Sequence, residues 1–412
     1  MMSKKQDKNW VVGLDIGTSK IVVLVGEITE DEKLDIVGVG CQPSFGLKKG
    51  VVVNVDATVQ SLQKAVEEAE IMAGCSINSV YTGIAGSHIR SINSHGIVAI
   101  HDNEVSAQDV ERVLEAAKAV PIPADQKILH ALPQEFVVDG QDGIKDPIGM
   151  SGIRLEARVH MVTGAVSAAQ NIVKCIRRCG LEVEDMVLQP LASSYAVLTE
   201  DEKQLGVCLI DIGGGTTDVA VFVQGAICHT AVIPIAGDQI TNDLAVALRV
   251  PSQSAEALKV QYACAMRSLV ADQDTVEVEG LGDRPNRIIP RYMVAEVVEP
   301  RYEELFSLVH KELLKSGMLE KIHAGIVLTG GSSRMEGVLY LAEDLFQLPV
   351  RLGLPRDVTG LVDVVKNPSY ATGVGLLLYG HQSHLRSQLS LLNHPGLKGW
   401  FRRAKRWFQG NF

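Results

Sequence analysis

Apolar positions along the chain fall into short runs broken by glycine-rich turns, alternating with longer stretches of helical periodicity. The clearest run, Val207 to Ile210, meets Asp211, then glycines at 213 to 215, Thr216, Thr217 and Asp218, and continues apolar to Val221. A short apolar run bounded by turn residues predicts a buried strand, here followed by a tight turn and a returning strand. The same plan occurs earlier: Val11 to Leu14 leads into Asp15, Ile16, Gly17, Thr18, Ser19 and Lys20, and a second apolar strand starts at Ile21. The two Asp-Ile-Gly turns, at Asp15 and Asp211, lie 196 residues apart and predict two related halves.

Between the turns the pattern predicts a strand from Leu34 to Cys41, a helix from Asp56 to Ala73 with Asp56 as its N-cap, and a strand from Ser79 to Ile84. The next core-type helix begins only near Ser167. The intervening segment holds a strand (Gly96 to Ile100), a helix (Ser106 to Val120) and two long strands (Lys127 to Val138, Arg154 to Val162), enough for a small inserted α+β domain. A helix from Gln189 to Leu198 carries small residues Ala192 and Ala196 on one face. Helices from Gly237 to Leu248 and from Ser252 to Ala265 follow the second turn, then a long amphipathic helix from Met293 to Ser316. A strand from Gly325 to Thr329 runs into Gly330, Gly331, Ser332, Ser333 and Arg334, and a helix from Ala371 to Tyr379 has Gly373 and Gly375 available for close packing.

Beyond it, residues 381 to 396 are polar and turn-prone, a linker by composition. The last stretch is different in kind. On a helix, Leu397, Trp400, Phe401, Ala404, Trp407 and Phe408 share an arc of about 120°, with Lys398, Arg402, Lys405 and Arg406 opposite. Aromatic residues facing cations make an interfacial membrane anchor; a calmodulin-like target or a core helix is the alternative.

Charge sharpens this division. Residues 381 to 412 hold six Lys/Arg and no acid, so the remaining 33 Lys/Arg stand against all 49 Asp/Glu, a body charge of −16. An acidic body with a basic tail argues against a general nucleic-acid binder. The polar N-terminus, MMSKKQDKNW, and the lack of any 18-residue apolar run predict neither signal peptide nor membrane span. Seven cysteines without a CxxC pair read as reduced core thiols rather than a metal or redox site.

The two glycine turns carry the candidate chemistry. Glycines permit positive φ and close approach, and successive N–H groups in such turns form an anion-binding concavity. An acidic residue beside a phosphate would repel it unless a cation lay between, so Asp15 and Asp211 suggest Mg²⁺. One isolated copy would equally suit an ordinary glycine-rich hairpin; the duplication favours a shared polyphosphate.

These motifs resemble the actin, sugar-kinase and Hsp70 ATPase superfamily, an α/β fold of two related halves. The resemblance implies an ATP site built from a phosphate 1 loop (Asp15, Gly17, Thr18, Ser19, Lys20), a phosphate 2 loop (Asp211, Gly213, Gly214, Gly215, Thr216, Thr217, Asp218) and an adenosine motif (Gly330, Gly331, Ser332, with Arg334 stacking on the base). Glu256 and Lys259 look like its nucleoside-contacting pair, a solvated ion pair being the alternative. Gln189 matches the residue that orients the attacking water, with Asp211 and Asp218 organising Mg²⁺ and that water; this implies competence for hydrolysis and no rate.

About a dozen residues separate the third strand from the first helix, too few for actin's subdomain 1B, and the insertion comes later. That relocation is similar to the bacterial cell-division protein FtsA family, whose inserted subdomain is 1C. The implied division is 1A (1–83 and 163–198), 1C (84–162), 2A (199–249 and 306–380), 2B (250–305), a linker (381–396) and a membrane-targeting amphipathic helix (397–412). The resemblance further implies an ATP-binding scaffold at the cytoplasmic face of the inner membrane at the division site. Its implied partners are the FtsZ C-terminal tail through 2B, with Arg301 and Glu304 as contact residues, other copies in a filament, and later division proteins partly through 1C. The anionic membrane surface would be met by Leu397, Trp400, Phe401, Arg402, Arg403, Arg406, Trp407 and Phe408. An actin-like pilus-assembly component, which shares the relocated domain, and a sugar-kinase-type enzyme are the competing readings.

Overall fold

In the computed structural model the chain is described over residues 10–282 and 284–393, with side chains through Leu385. The apolar runs become two sheets of the same topology. In the first, β1 (Trp10–Ile16), β2 (Lys20–Ile28) and β3 (Leu34–Pro43) form an antiparallel meander, followed by α1 (Val55–Ala73) and β4 (Ser79–Ile84), which returns parallel to β1. The insertion comes next: β5 (Arg90–Ala99), α2 (Ala107–Lys118), β6 (Gln126–Val138), β7 (Gln141–Ile144) and β8 (Arg154–Ala165). The first half then resumes with α3 (Val166–Arg178), β9 (Glu182–Leu188) beside β4, and α4 (Gln189–Val197).

The second half repeats the plan with β10 (Val207–Ile212), β11 (Thr217–Val223) and β12 (Ala226–Ile233) as the meander, then α5 (Gly237–Leu248), α6 (Ser252–Tyr262), the hairpin β13 (Thr275–Val278) and β14 (Arg287–Pro290), and α7 (Tyr292–Lys315). β15 (Ile326–Thr329), α8 (Val338–Phe346), β16 (Val350–Leu352) and α9 (Ala371–Asn393) close the chain. The strand orders β3-β2-β1-β4-β9 and β12-β11-β10-β15-β16 superpose element for element. Even the turns match, with Ile16 opposite Ile21 and Ile212 opposite Thr217. β1, β2, β10 and β11 are buried almost throughout because both sheet faces are covered, which is why they read as continuous apolar runs instead of alternating ones.

Where the halves meet, α4 and α9 cross. A Cβ on Gly375 would stand 1.8 Å from the Ala192 carbonyl oxygen, so the small residues on both helices set their separation.

The inserted domain sits on the second half as well as the first. Its sheet, β5-β8-β6-β7, buries Leu155, Val159, Met161 and Phe136 against Val113 and Ala117 of α2. The opposite face meets β12, the edge strand of the second sheet. β12 carries a bulge at Cys228, between the pairs Val221 with His229 and Phe222 with Ile227. Asn93 Nδ2 donates to the Cys228 carbonyl (3.3 Å), Ser91 Oγ to that of Thr230 (2.9 Å) and Gln134 Nε2 to that of Ile227 (3.2 Å). His160 is buried between Asn93 Oδ1 (2.8 Å) and Thr230 Oγ1 (3.0 Å). Asn93 Oδ1 is an acceptor, so His160 carries its proton on Nδ1 and accepts through Nε2. Burial, and after it the neighbouring His229, pushes the imidazole down to about 4 and keeps it neutral.

Two expectations are corrected. The N-cap of α1 is Asn54, whose Oδ1 accepts from the Ala57 N–H at 3.1 Å; Asp56 lies in the first turn and pairs with Arg178. The supposed linker is helical as far as Asn393, because the segment after Gly380 holds no glycine or proline before Pro395 and nothing in it stops the helix. The tail residues Leu397, Trp400, Phe401, Arg402, Arg403, Arg406, Trp407 and Phe408 lie outside the described residues. No helix among the described residues is long and apolar enough to cross a membrane.

The docking of 1C on β12 leads to a test. Deleting residues 84 to 162 is expected to leave a core that unfolds cooperatively but exposes the edge of β12, and an uncovered edge strand pairs with other chains. We expect concentration-dependent self-association of the deletion protein in sedimentation velocity, suppressed by replacing Ile227 with Lys. A deletion protein that stayed monomeric would show that 1C does not protect this edge.

Candidate functional site

The duplicated turns close on each other. Each is pinned by the same hydrogen bond, Gly17 N–H to Lys20 O and Gly213 N–H to Thr216 O, both 3.0 Å. A Cβ on Gly214 would lie 1.9 Å from Ser19 Oγ, and one on Gly215 would lie 2.6 Å from Thr18 Oγ1. These glycines do not take positive φ; close approach alone requires them. Gly330 needs both freedoms, with φ +87° and an Asp211 carboxylate oxygen 2.4 Å from where its Cβ would be.

Together the turns line a cleft of about 500 Å³, within the usual ligand-site range of roughly 300–1,000 Å³. Its lining includes Asp15, Gly17, Thr18, Ser19, Lys20, Gln189, Asp211, Gly213, Gly214, Gly215, Thr216, Asp218, Glu256, Lys259, Gly330, Gly331, Ser332 and Arg334. Thr217 does not join them. Side chains alternate along β11, so Thr216 and Asp218 face the cleft while the Thr217 hydroxyl turns away and donates to the Ile235 carbonyl at 2.7 Å. Arg301 and Glu304 lie elsewhere, on the side of α7 facing α5, where Arg301 holds Asp243 through two bonds (2.6 and 3.0 Å) and also pairs with Glu304.

Several lining residues escaped sequence reasoning: Gly50, whose N–H donates to Thr18 Oγ1 at 3.1 Å, and Tyr302, Glu336, Ser369 and Thr372. Thr372 is the second residue of α9 and its hydroxyl reaches Asp211 Oδ2 at 3.4 Å, so the connecting-helix motif did point to the site. Tyr302 read as a core aromatic on a helix, and no motif marked it.

The cleft concentrates carboxyls at the facing turns. Burial, then repulsion from Asp211, raises the Asp15 carboxyl to about 7; burial raises Asp211 to about 6; burial, then Asp211 and more weakly Asp15, raises Asp218 to about 8. Asp15 Oδ1 accepts from Gln189 Nε2 at 3.0 Å, while Asp218 Oδ1 is buried with no partner among the described residues. Lys20 Nζ donates to Ser369 Oγ (2.9 Å) and sits 4.0 Å above the Tyr370 ring, its pKa lowered by burial. Glu256 and Lys259 form the i, i+3 pair at 2.6 Å, Lys259 also donates to Thr241 Oγ1 at 2.8 Å, and both residues line the cleft.

Among the described residues no three His, Cys, Asp or Glu side chains stand close enough to cage a metal ion. Mg²⁺ suits such a site, since it keeps several waters and binds through one or two carboxylates plus ligand phosphates. The orphaned Asp218 oxygen and the raised carboxyls fit an incoming divalent cation, which would favour all three in the charged form.

A sign follows for pH. A carboxyl raised above its ordinary 3.8 means that the folded state binds more protons, so this contribution weakens stability as pH climbs from about 4 to about 8. Asp218→Asn is therefore expected to raise the unfolding midpoint at pH 8, relative to the unmodified chain, while weakening Mg²⁺-dependent ligand binding. Mg²⁺-nucleotide binding at pH 7 is expected to release protons. Calorimetry in two buffers of different ionisation heat reads this directly, and a buffer-independent enthalpy would contradict the assignment.

Comparison with known proteins places this geometry. The family model "Cell division protein FtsA" matches residues 208–375, and the model "SHS2 domain inserted in FTSA" matches residues 86–163. The cell division protein FtsA of Pseudomonas aeruginosa is 60% identical over 417 residues, covering 100% of both chains. That of Neisseria meningitidis is 49% identical over 414 residues (99% and 100%), and that of Escherichia coli K12 is 45% identical over 420 (100% of both). Among solved structures, the PilM–PilN type IV pilus biogenesis complex aligns with TM-score 0.66 at 16% identity (91% of this chain, 99% of that one). MreB5 of Spiroplasma citri bound to ADP aligns with TM-score 0.54 at 14% identity (94% and 100%). At such identities the likeness is one of fold: two actin-like halves, here with an inserted domain.

Proposed function

The chain belongs to the cell division protein FtsA family, and from that premise we propose that it is an ATP-binding, actin-like scaffold that tethers FtsZ polymers to the cytoplasmic face of the inner membrane. The observation carrying this reading is the convergence of the two Asp-Ile-Gly turns and the Gly330–Gly331 turn in one cleft. The triphosphate lies between the facing turns, where Lys20 and the turn N–H groups supply positive potential. Asp15 and Asp211 would hold a Mg²⁺, whose charge would offset the repulsion between phosphates and carboxylates. The nucleoside runs over Gly330 and Gly331, with its ribose at Glu256 and Lys259 and Arg334 stacked on the base. Gln189, hydrogen-bonded to Asp15, and Asp218 would orient a water for any slow hydrolysis.

The remaining parts attach to this core. Subdomain 2B, residues 250–305, takes the FtsZ C-terminal tail; a partner carboxylate meeting Arg301 would share it with Asp243. Copies assemble into filaments, 1C recruits later division proteins, and the tail at 397–412 lies in the anionic membrane surface. Each cation there contributes about 1 kcal/mol, so one tail binds reversibly and a filament of them binds by avidity.

Two experiments test the reading. Nothing lies closer than 3.7 Å to the position a Cβ on Gly331 would take, so Gly331→Leu should fold normally while its side chain fills the nucleoside path. We expect loss of Mg-ATP binding with Mg-pyrophosphate binding retained; equal effects on both would displace the nucleoside from this turn. Trp400→Glu with Trp407→Glu removes two aromatic anchors and sets anions against an anionic surface. Sedimentation with anionic vesicles should vanish while ATP binding persists, and higher salt should only partly weaken the unmodified chain, since screening spares the apolar share. Full vesicle binding by the double mutant would exclude the tail as the anchor.

A further inference from the structure

The nucleoside turn is held from behind by a residue that no motif marks. Tyr302, on α7, is wholly buried, lines the cleft and donates its hydroxyl to the Ser332 carbonyl at 2.7 Å. Ser332 in turn donates its own hydroxyl to the Gly213 carbonyl at 2.9 Å, inside the phosphate 2 turn. The same oxygen accepts the Gly237 N–H, at the start of α5, at 3.1 Å. Gly237 must stay bare for this, because a Cβ there would stand 2.5 Å from Ser332 Oγ. The Gly213 N–H is committed to Thr216 O, so both backbone groups of Gly213 are engaged and its carbonyl joins α5 to the nucleoside turn, which Tyr302 of α7 holds in turn.

From this we infer that Tyr302 and Ser332 are positioning residues that tie the nucleoside turn to the phosphate 2 turn, so that a constraint at one end of the cleft is passed to the other. The inference deepens the nucleotide reading and rests on it. The chain of donors runs one way, phenol to carbonyl and hydroxyl to carbonyl. The two bonds use different groups of Ser332, its carbonyl and its hydroxyl, so they are linked through the position of that residue. Burial pushes the Tyr302 phenol well above its ordinary pKa, so it remains a donor throughout the working pH range. The benefit is preorganisation: a phosphate turn already fixed loses less freedom when the ligand arrives. Because the tie is in series, its two links should act as one.

A double-mutant cycle tests this on the full chain with Tyr302→Phe, Ser332→Ala and the pair, using calorimetry with Mg-pyrophosphate and Mg-ATP and the unfolding midpoint of each protein. Pyrophosphate spans only the phosphate turns. Tyr302→Phe is nevertheless expected to weaken it about fivefold, the scale of one neutral hydrogen bond, although the lost hydroxyl lies at the nucleoside end. Ser332→Ala should weaken it similarly. In the Ser332→Ala background, adding Tyr302→Phe should cost less than about twofold, the non-additivity expected of coupled groups. A general loss of stability would instead lower affinity equally in both backgrounds, and that additivity would overturn the inference. So would unchanged pyrophosphate binding in Tyr302→Phe. Failure of the unmodified chain to bind either ligand would overturn the nucleotide reading itself, a distinguishable result.

Discussion

The contact on which the rest of the architecture depends is the meeting of Gly214 and Gly215 with Ser19 and Thr18. Two turns separated by most of a sheet and an inserted domain in sequence come within van der Waals reach, and this fixes how the halves face one another. Only residues without a side chain allow it, since any Cβ would enter the opposing hydroxyls. A second close contact, Gly375 against Ala192, sets the spacing of the crossing helices beneath. A third, the side chains of 1C on the carbonyls of β12, adds polar bonds between the inserted domain and the second half. The cleft is what remains between elements held at these points.

That geometry comes with an electrostatic cost. Asp15, Asp211 and Asp218 end strands or flank the facing turns, so they stand close together, Asp15 half-buried and the other two buried, and none is at ease as a carboxylate. Core residues at these places would make a more stable fold. On the proposed reading, a divalent cation would relieve carboxylates that repel one another, so part of the binding free energy would be stored in the fold. Lys20 shows the opposite sign: its ammonium is held by a hydroxyl and an aromatic face, and the nearby Asp15 carboxyl only partly offsets the burial that lowers its pKa.

The fold was legible where one periodicity ruled a segment. Strand Ser79–Ile84 and helix Gly237–Leu248 run as the pattern predicts, the strand as a short run buried almost throughout and the helix with one buried face, each set off by a glycine or polar boundary. The facing turns were legible because they recur. What escaped was set by tertiary context. Thr217 shares its neighbours' composition and misses the cleft only through strand alternation. Asp56 and Asn54 are both good caps, and the chain path decides between them. Tyr302 is indistinguishable in sequence from any buried aromatic on an amphipathic helix; its role depends on where Ser332 lies, thirty residues on. The polar segment after Gly380 looked like a linker because polarity was weighed above the lack of a breaker.

That last difference changes how the ends of the molecule relate. α9 starts with Thr372 beside Asp211 in the cleft, crosses α4 at Gly375, lies close against Val11 and Tyr81 at Gly380, and runs on to Asn393. Tyr379 fastens it midway by donating to Asp185 at 2.7 Å, with its ring edge-on to Tyr81 and Tyr195. At about 1.5 Å per residue, the stretch from Thr372 to Asn393 is a rod of roughly 30 Å. A flexible linker would let the C-terminal segment sample orientations independently of the body. A continuous helix instead sets where that segment departs, and it takes its bearing from a residue that touches the site.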